Sequence, residues 1–174
     1  MVGVKFSGLR VIERDTFSYC PHLLRAEFGE ALETISGENP FGHCSSLTRI
    51  AIPLKANLFD GIFDQCRDLA RVDLVGSIHD IVSSFHLKTW IDDMTNKINQ
   101  INLDLPALDM SVKTMTIHEW MQSLLEEVDY YKTLHLSLLE AVTPMLHLAF
   151  NSSGNPVPDD VISSVMSFLA FAIE

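Results

Sequence analysis

Phe41-Gly42-His43-Cys44-Ser45-Ser46-Leu47-Thr48-Arg49-Ile50-Ala51-Ile52-Pro53 decides how the first half of this 174-residue chain is read. Its apolar positions follow F-x-x-C-x-x-L-x-x-Φ-x-Φ, where Φ is apolar. The same pattern stands at Phe17, Cys20, Leu23, Ala26 and Phe28, and again at Phe63, Cys66, Leu69, Val72 and Leu74. The cysteines of successive units are 24 and 22 residues apart. The closing Φ-x-Φ alternates, so it predicts a short strand with Φ turned inward and its neighbours outward. One such unit cannot bury its apolar face alone. Stacked units share a continuous core, and about three are the minimum. The first half therefore reads as a short solenoid.

These units resemble the BspA-type (Treponema pallidum-type) leucine-rich repeat family, whose consensus the 41–53 segment follows closely. The spacing lies within the leucine-rich period of roughly 20–29 residues. The L-x-x-I return arm of that family is matched by Leu9-Arg10-Val11-Ile12 and Leu32-Glu33-Thr34-Ile35. Two departures stand out: the third unit is shortened over Asn57–Phe63, and Phe28-Gly29 replaces the usual I-P after the first strand. The resemblance covers Leu9 to Ser77 and implies a repeat fold with a role in binding. Nothing before Leu9 has the look of a dedicated cap.

After Ser77 the period changes. Leu87, Ile91, Met94, Ile98 and Ile101 alternate steps of four and three, with Phe85 and Trp90 widening the face, which predicts a helix over 78–101. Residues 102–113 read as a connector, with Leu105-Pro106 ending the helix. A second stripe runs through Ile117, Met121, Leu124, Val128, Tyr131, His135, Leu138, Val142, Met145 and Ala149 in unbroken 4-3 spacing. That heptad pattern suggests coiled-coil-like packing. Thr114 or Thr116 is the expected cap, Glu119 completing a capping box, and Pro144 is expected to interrupt the helix near its end. Two such helices most simply form an antiparallel hairpin. The segment 63–149 also resembles a helical extension that follows such repeats in leucine-rich repeat proteins of unicellular algae.

The tail opens with Asn151-Ser152-Ser153-Gly154-Asn155-Pro156, a linker composition, and continues into an apolar stretch from Val161 to Ile173 that reads as a short helix. At 13 residues this stretch falls short of the roughly 20 that a bilayer span needs. The first residues contain no apolar signal-peptide core and no Gly at position 2 for myristoylation. A cytoplasmic protein is expected.

The net charge of −11 argues against general affinity for nucleic acid, which needs Lys and Arg to displace counterions, and against anionic membranes. Residues 1–78 carry a net −2 and residues 79–174 a net −9. No catalytic constellation stands out. No Glu-x-x-His occurs in either long helix, no G-x-S-x-G elbow exists, and the cysteines lack zinc spacing. One cysteine per unit, at one repeat position, reads as a column of small buried thiols. His135 falls on the apolar stripe and reads as a packing residue.

What remains is a recognition surface. Outward strand positions hold Arg25 and Glu27, Arg49 and Ala51, Arg71 and Asp73, so Arg recurs at one offset in every unit. Such a ladder suits a carboxylate-bearing partner. Its bland alternative is local pairing with Glu27, Asp68 or Asp73, and surface pairs of that kind are individually weak. The expectation is an α+β chain: a leucine-rich repeat block over 1–77, a helical hairpin over 78–150, and a linker with a tail helix over 151–174. Its expected role is a non-catalytic protein-interaction module, with no cofactor, metal, nucleic acid or membrane. The alternative role is structural, with self-association through the heptad-patterned helices.

Overall fold

The computed structural model describes residues 2–76, 78–84 and 88–152. The repeats form a parallel β-solenoid of about three turns. One sheet carries β1 (Val2–Phe6), β3 (Leu23–Phe28), β5 (Arg49–Pro53) and β7 (Arg71–Val75) in that spatial order. The other carries β2 (Val11–Ile12), β4 (Thr34–Ile35) and β6 (Asn57–Leu58). The apolar alternation determines the register: Ala26 pairs with Ile50, Ile50 with Val72 and Ile52 with Leu74, all buried. The repeat pattern gave no sign of β1, because no F-x-x-C precedes it. Val2-Gly3-Val4-Lys5-Phe6 nevertheless pairs along β3, with Val4 beside Ala26 and Phe6 beside Phe28.

Each turn of the solenoid bends at two repeat positions. Two residues before the consensus Phe, Asp15, Asn39 and Gly61 have φ of +56°, +54° and +72°. Two residues after it, Tyr19, His43 and Gln65 have φ of +55°, +61° and +61°. Asp, Asn and Gly enter this left-handed region at little cost; Tyr19 and His43 are held there by their amides, which donate to the Gly42 carbonyl at 2.8 Å and the Asp64 carbonyl at 3.0 Å of the next turn. Between these bends the phenylalanines form a ladder, Phe17 on Phe41 at 5.1 Å and Phe41 on Phe63 at 5.8 Å. The cysteines sit under it. The Cys44 thiol donates to the Phe17 carbonyl at 3.0 Å, and the Cys66 thiol to the Phe41 carbonyl at 3.1 Å, so each thiol ties one turn to the turn before. Gly29 follows β3 where a Cβ would stand 2.5 Å from the Ser7 carbonyl oxygen, so the I-P of the consensus is sterically excluded there.

The second half departs from its expected outline. α1 (Ile78–Ser84) and α2 (Lys88–Asp104) are separate elements, and Phe85 and Leu87, assigned to the first stripe, lie outside the described residues. The expected connector is largely helical: α2 continues to Asp104, one 3₁₀ turn covers Leu105–Ala107, and α3 runs from Met110 to Ser152. Asp109 caps α3, accepting the Ser111 amide at 2.9 Å, and neither Thr114 nor Thr116 does so. Thr114 and Thr116 stand inside α3, past the first four residues, where backbone amides already bond to carbonyls four residues back, so the free amides that a cap satisfies lie nearer Asp109. Helix α3 passes through Pro144 without the expected interruption and takes in Asn151, the first residue of the linker composition. The rest of the expected linker and tail helix lies outside the described residues.

Helices α2 and α3 lie against the last repeat, and their side chains stand in for the absent next turn. Asn102 of α2 donates its amide to the Val72 carbonyl at 3.0 Å and accepts the Val72 amide at 2.8 Å, the two bonds a neighbouring strand would make. Thr114 accepts the Phe63 amide at 3.3 Å, where Phe41 uses the Ile62 carbonyl of the next turn. The Lys113 ammonium, buried, donates to the carbonyls of Arg67 at 2.9 Å and Leu69 at 2.6 Å. Trp90 of α2 stacks on Tyr131 of α3 at 4.9 Å, and the Trp120 indole donates to the Lys97 carbonyl at 2.8 Å. The α3 stripe is buried from Ile117 through His135. Beyond that, Leu138, Val142 and Met145 are exposed.

Candidate functional site

The outward face of the four-stranded sheet carries two rows of side chains. The strand register aligns Gly3, Arg25, Arg49 and Arg71 in one row and Lys5, Glu27, Ala51 and Asp73 in the next. Alternation puts these residues outward because their neighbours fill the core, and strand spacing of about 4.8 Å brings successive arginines close. Like charges this near need counter-charges, and the second row supplies them unevenly. Arg49 and Arg71 both bind Asp73, the second through Nε at 2.9 Å. Lys5 takes Glu27. The Asp73 side chain keeps 19% of its exposure, so it serves as a half-buried anchor between two guanidinium groups.

Arg25 is different. Its side chain has no ion pair or hydrogen bond among the described residues, and it is exposed. It borders a cleft of about 210 Å³ that opens over Gly3 and Ala51, the two positions where the rows have little or no side chain. The sequence showed Arg25, Glu27, Arg49, Arg71 and Asp73; the structure adds Lys5 and Gly3. Their signal was the Val2-x-Val4-x-Phe6 alternation, legible only as the same Φ-x-Φ without the rest of the repeat. Asp68, weighed as a partner for the arginines, makes no ion pair with them.

Two other features bear on chemistry. Burial pushes the Cys66 thiol up to about 12 and raises that of Cys44, so neither thiol has thiolate character at neutral pH. His43, next to Cys44, stacks on Tyr19 at 4.6 Å while the thiol points to the Phe17 carbonyl, so the two form no nucleophile–base pair. Among the described residues no group of His, Cys, Asp and Glu is arranged to hold a metal ion, and no helix is long and apolar enough to cross a membrane. A second cleft, of about 300 Å³, lies at the junction of the repeats with α1 and α3, between Lys55, Gly76 and Lys132.

A family model described as the BspA type leucine rich repeat region matches residues 4–107 in six copies. It extends beyond the Leu9–Ser77 span at both ends, taking in most of β1 and the helix α2 that closes the stack. No curated protein and no solved structure matches the chain.

Proposed function

Because the chain belongs to the BspA-type leucine-rich repeat family, we propose that it is a non-catalytic protein–protein interaction module that receives its partner on the outward face of the four-stranded sheet. The family is one of binding surfaces, and such repeats generally serve protein interactions. The observation that carries the reading is the pair of charged rows, Gly3-Arg25-Arg49-Arg71 and Lys5-Glu27-Ala51-Asp73, set on a rigid sheet over a continuous core. Rigid elements hold recognition groups in place at little entropic cost. The proposed binding residues are Arg25, Glu27, Arg49, Arg71 and Asp73. The second half is taken as an antiparallel hairpin that closes the stack, a reading supported by the Trp90–Tyr131 and Trp120–Lys97 contacts. Three free cysteines suit a reducing, cytoplasmic setting.

The test is affinity capture from native extract with wild type and a variant carrying Arg25→Glu, Arg49→Glu and Arg71→Glu, its fold checked by circular dichroism. A partner held by wild type and lost by the folded variant supports the face. Equal capture by both sinks it. A second reading, self-association through α3, is favoured by Leu138, Val142 and Met145, which continue the buried stripe yet are exposed. Sedimentation equilibrium decides it: a mass that rises with concentration, and returns to 19.5 kDa in a Leu138→Glu, Val142→Glu variant, supports self-association.

A further inference from the structure

We propose that the cleft beside Arg25 is a subsite for a single carboxylate presented by a protein partner, and that Arg49 and Arg71, both engaged by Asp73, belong to the wider binding face while Arg25 is the principal donor at this subsite. The inference rests on the reading of this face as the binding surface and narrows it to one position. Three arginines share a row, yet their charges are spent differently. Arg49 and Arg71 converge on Asp73. The neighbouring ammonium of Lys5 is committed to Glu27. Arg25 keeps an unengaged guanidinium, among the described residues, at the edge of a cleft of about 210 Å³. The cleft exists because Gly3 has no side chain in the same row and Ala51 only a methyl in the next. A guanidinium presents a planar fork of donors that matches a carboxylate in two parallel bonds.

The surroundings select the charge of the ligand. Glu27 stands two residues along the same strand and Asp73 two strands away, and the whole chain carries −11. Lys5, Glu27 and Arg49 line the cleft with Arg25; the Glu27 carboxylate repels a dianion or a polyphosphate strand more than a single carboxylate, whose one charge the Arg25 fork matches. Bonds of this charge-assisted kind change affinity by about tenfold or more.

The experiment uses the full chain, ¹⁵N-labelled, at constant ionic strength. Sodium acetate replaces sodium chloride while the arginine Nε–Hε signals are followed by NMR. The Arg25 signal moves with acetate while those of Arg49 and Arg71 stay in place. Three capped heptapeptides, Thr-Val-Thr-X-Thr-Val-Thr with X as Asp, Asn or phosphoserine, are then titrated. The Asp peptide binds best, and Arg25→Gln weakens it about tenfold while Arg10→Gln, at an exposed arginine outside this face that pairs with Glu33, leaves it within twofold. Equal shifts at all three arginines overturn the subsite and leave the wider face as the binding surface; equal loss in the two variants overturns it as general charge attraction. Tightest binding by the phosphoserine peptide overturns the carboxylate assignment. If Arg25 takes the Asp peptide as expected but the triple variant captures the same partner as wild type, the subsite stands and the partner-binding reading of the face falls.

Discussion

Cys20, Cys44 and Cys66 occupy one repeat position, but their surroundings grade them. Cys44 and Cys66 are fully buried and donate to carbonyls of the turn before, whereas Cys20 is half-buried at the first turn. With both inner thiols pushed upward by burial, only Cys20 has access to a modifying reagent in the native state. Labelling with a maleimide and mapping by mass spectrometry is expected to mark Cys20 first, with Cys44 and Cys66 reacting only in denaturant. Backbone positions divide in the same way. Gly29→Ala drives a methyl into the Ser7 backbone and is expected to lower stability by about 1–3 kcal/mol. His43→Gly removes left-handed strain at +61° but also the stack on Tyr19, so it is expected to change stability by under about 1 kcal/mol. Urea melts of the two variants give the comparison directly.

At the scale of the element, the decisive contact is the closure of β7. A strand at the end of a stack exposes amides and carbonyls that need partners, and Asn102 supplies one of each from a helix. Asn102→Leu leaves both Val72 groups facing an alkyl chain, and an expected loss of about 1–3 kcal/mol is readable as a lower urea midpoint with unchanged slope. Lys113 adds a pH dependence. Burial lowers its pKa below the ordinary 10.5, so between the folded value and 10.5 the unfolded chain binds more protons. Stability from this group therefore rises as pH climbs through the interval just below 10.5. Lys113→Met is expected to remove that rise, seen by comparing urea midpoints of the two proteins at pH 8 and pH 10.

For the whole molecule, repeats and helices are expected to unfold together. The core runs without a break from Ile12 of β2 to Tyr131 of α3, and the last repeat uses Asn102, Lys113 and Thr114 for its own hydrogen bonds. Solenoid turns lean on their neighbours, so an uncapped end is costly. A chain cut after Gly76 is expected to lose its cooperative melt and to expose apolar surface, measured as increased binding of an apolar fluorescent dye. A sharp native-like melt of that piece means instead that the repeats stand alone.

Much of this was legible in the residues themselves. Phe, Cys and Leu at fixed spacing specify the turns of the solenoid, because each position faces either the core or solvent wherever the unit is placed in the stack. The 4-3 stripe from Ile117 to His135 likewise specifies a buried helix face. The sequence alone also put Arg25, Arg49 and Arg71 in one row, since a repeat carries its offsets with it. What only the tertiary structure decided is which groups meet across units. β1 lacks the repeat signature and is a strand because β3 offers it a register. Lys113 ends a stretch of connector composition and Thr114 has the residue type of a cap, yet they bind the last repeat across 44 to 51 residues of chain. Asp73 neutralises two of the three arginines while Glu27, two residues from Arg25, is taken by Lys5, and that is why Arg25 differs from its equivalents. Local pattern determines which way a side chain faces; the partner it finds depends on distances that exist only after the chain has stacked.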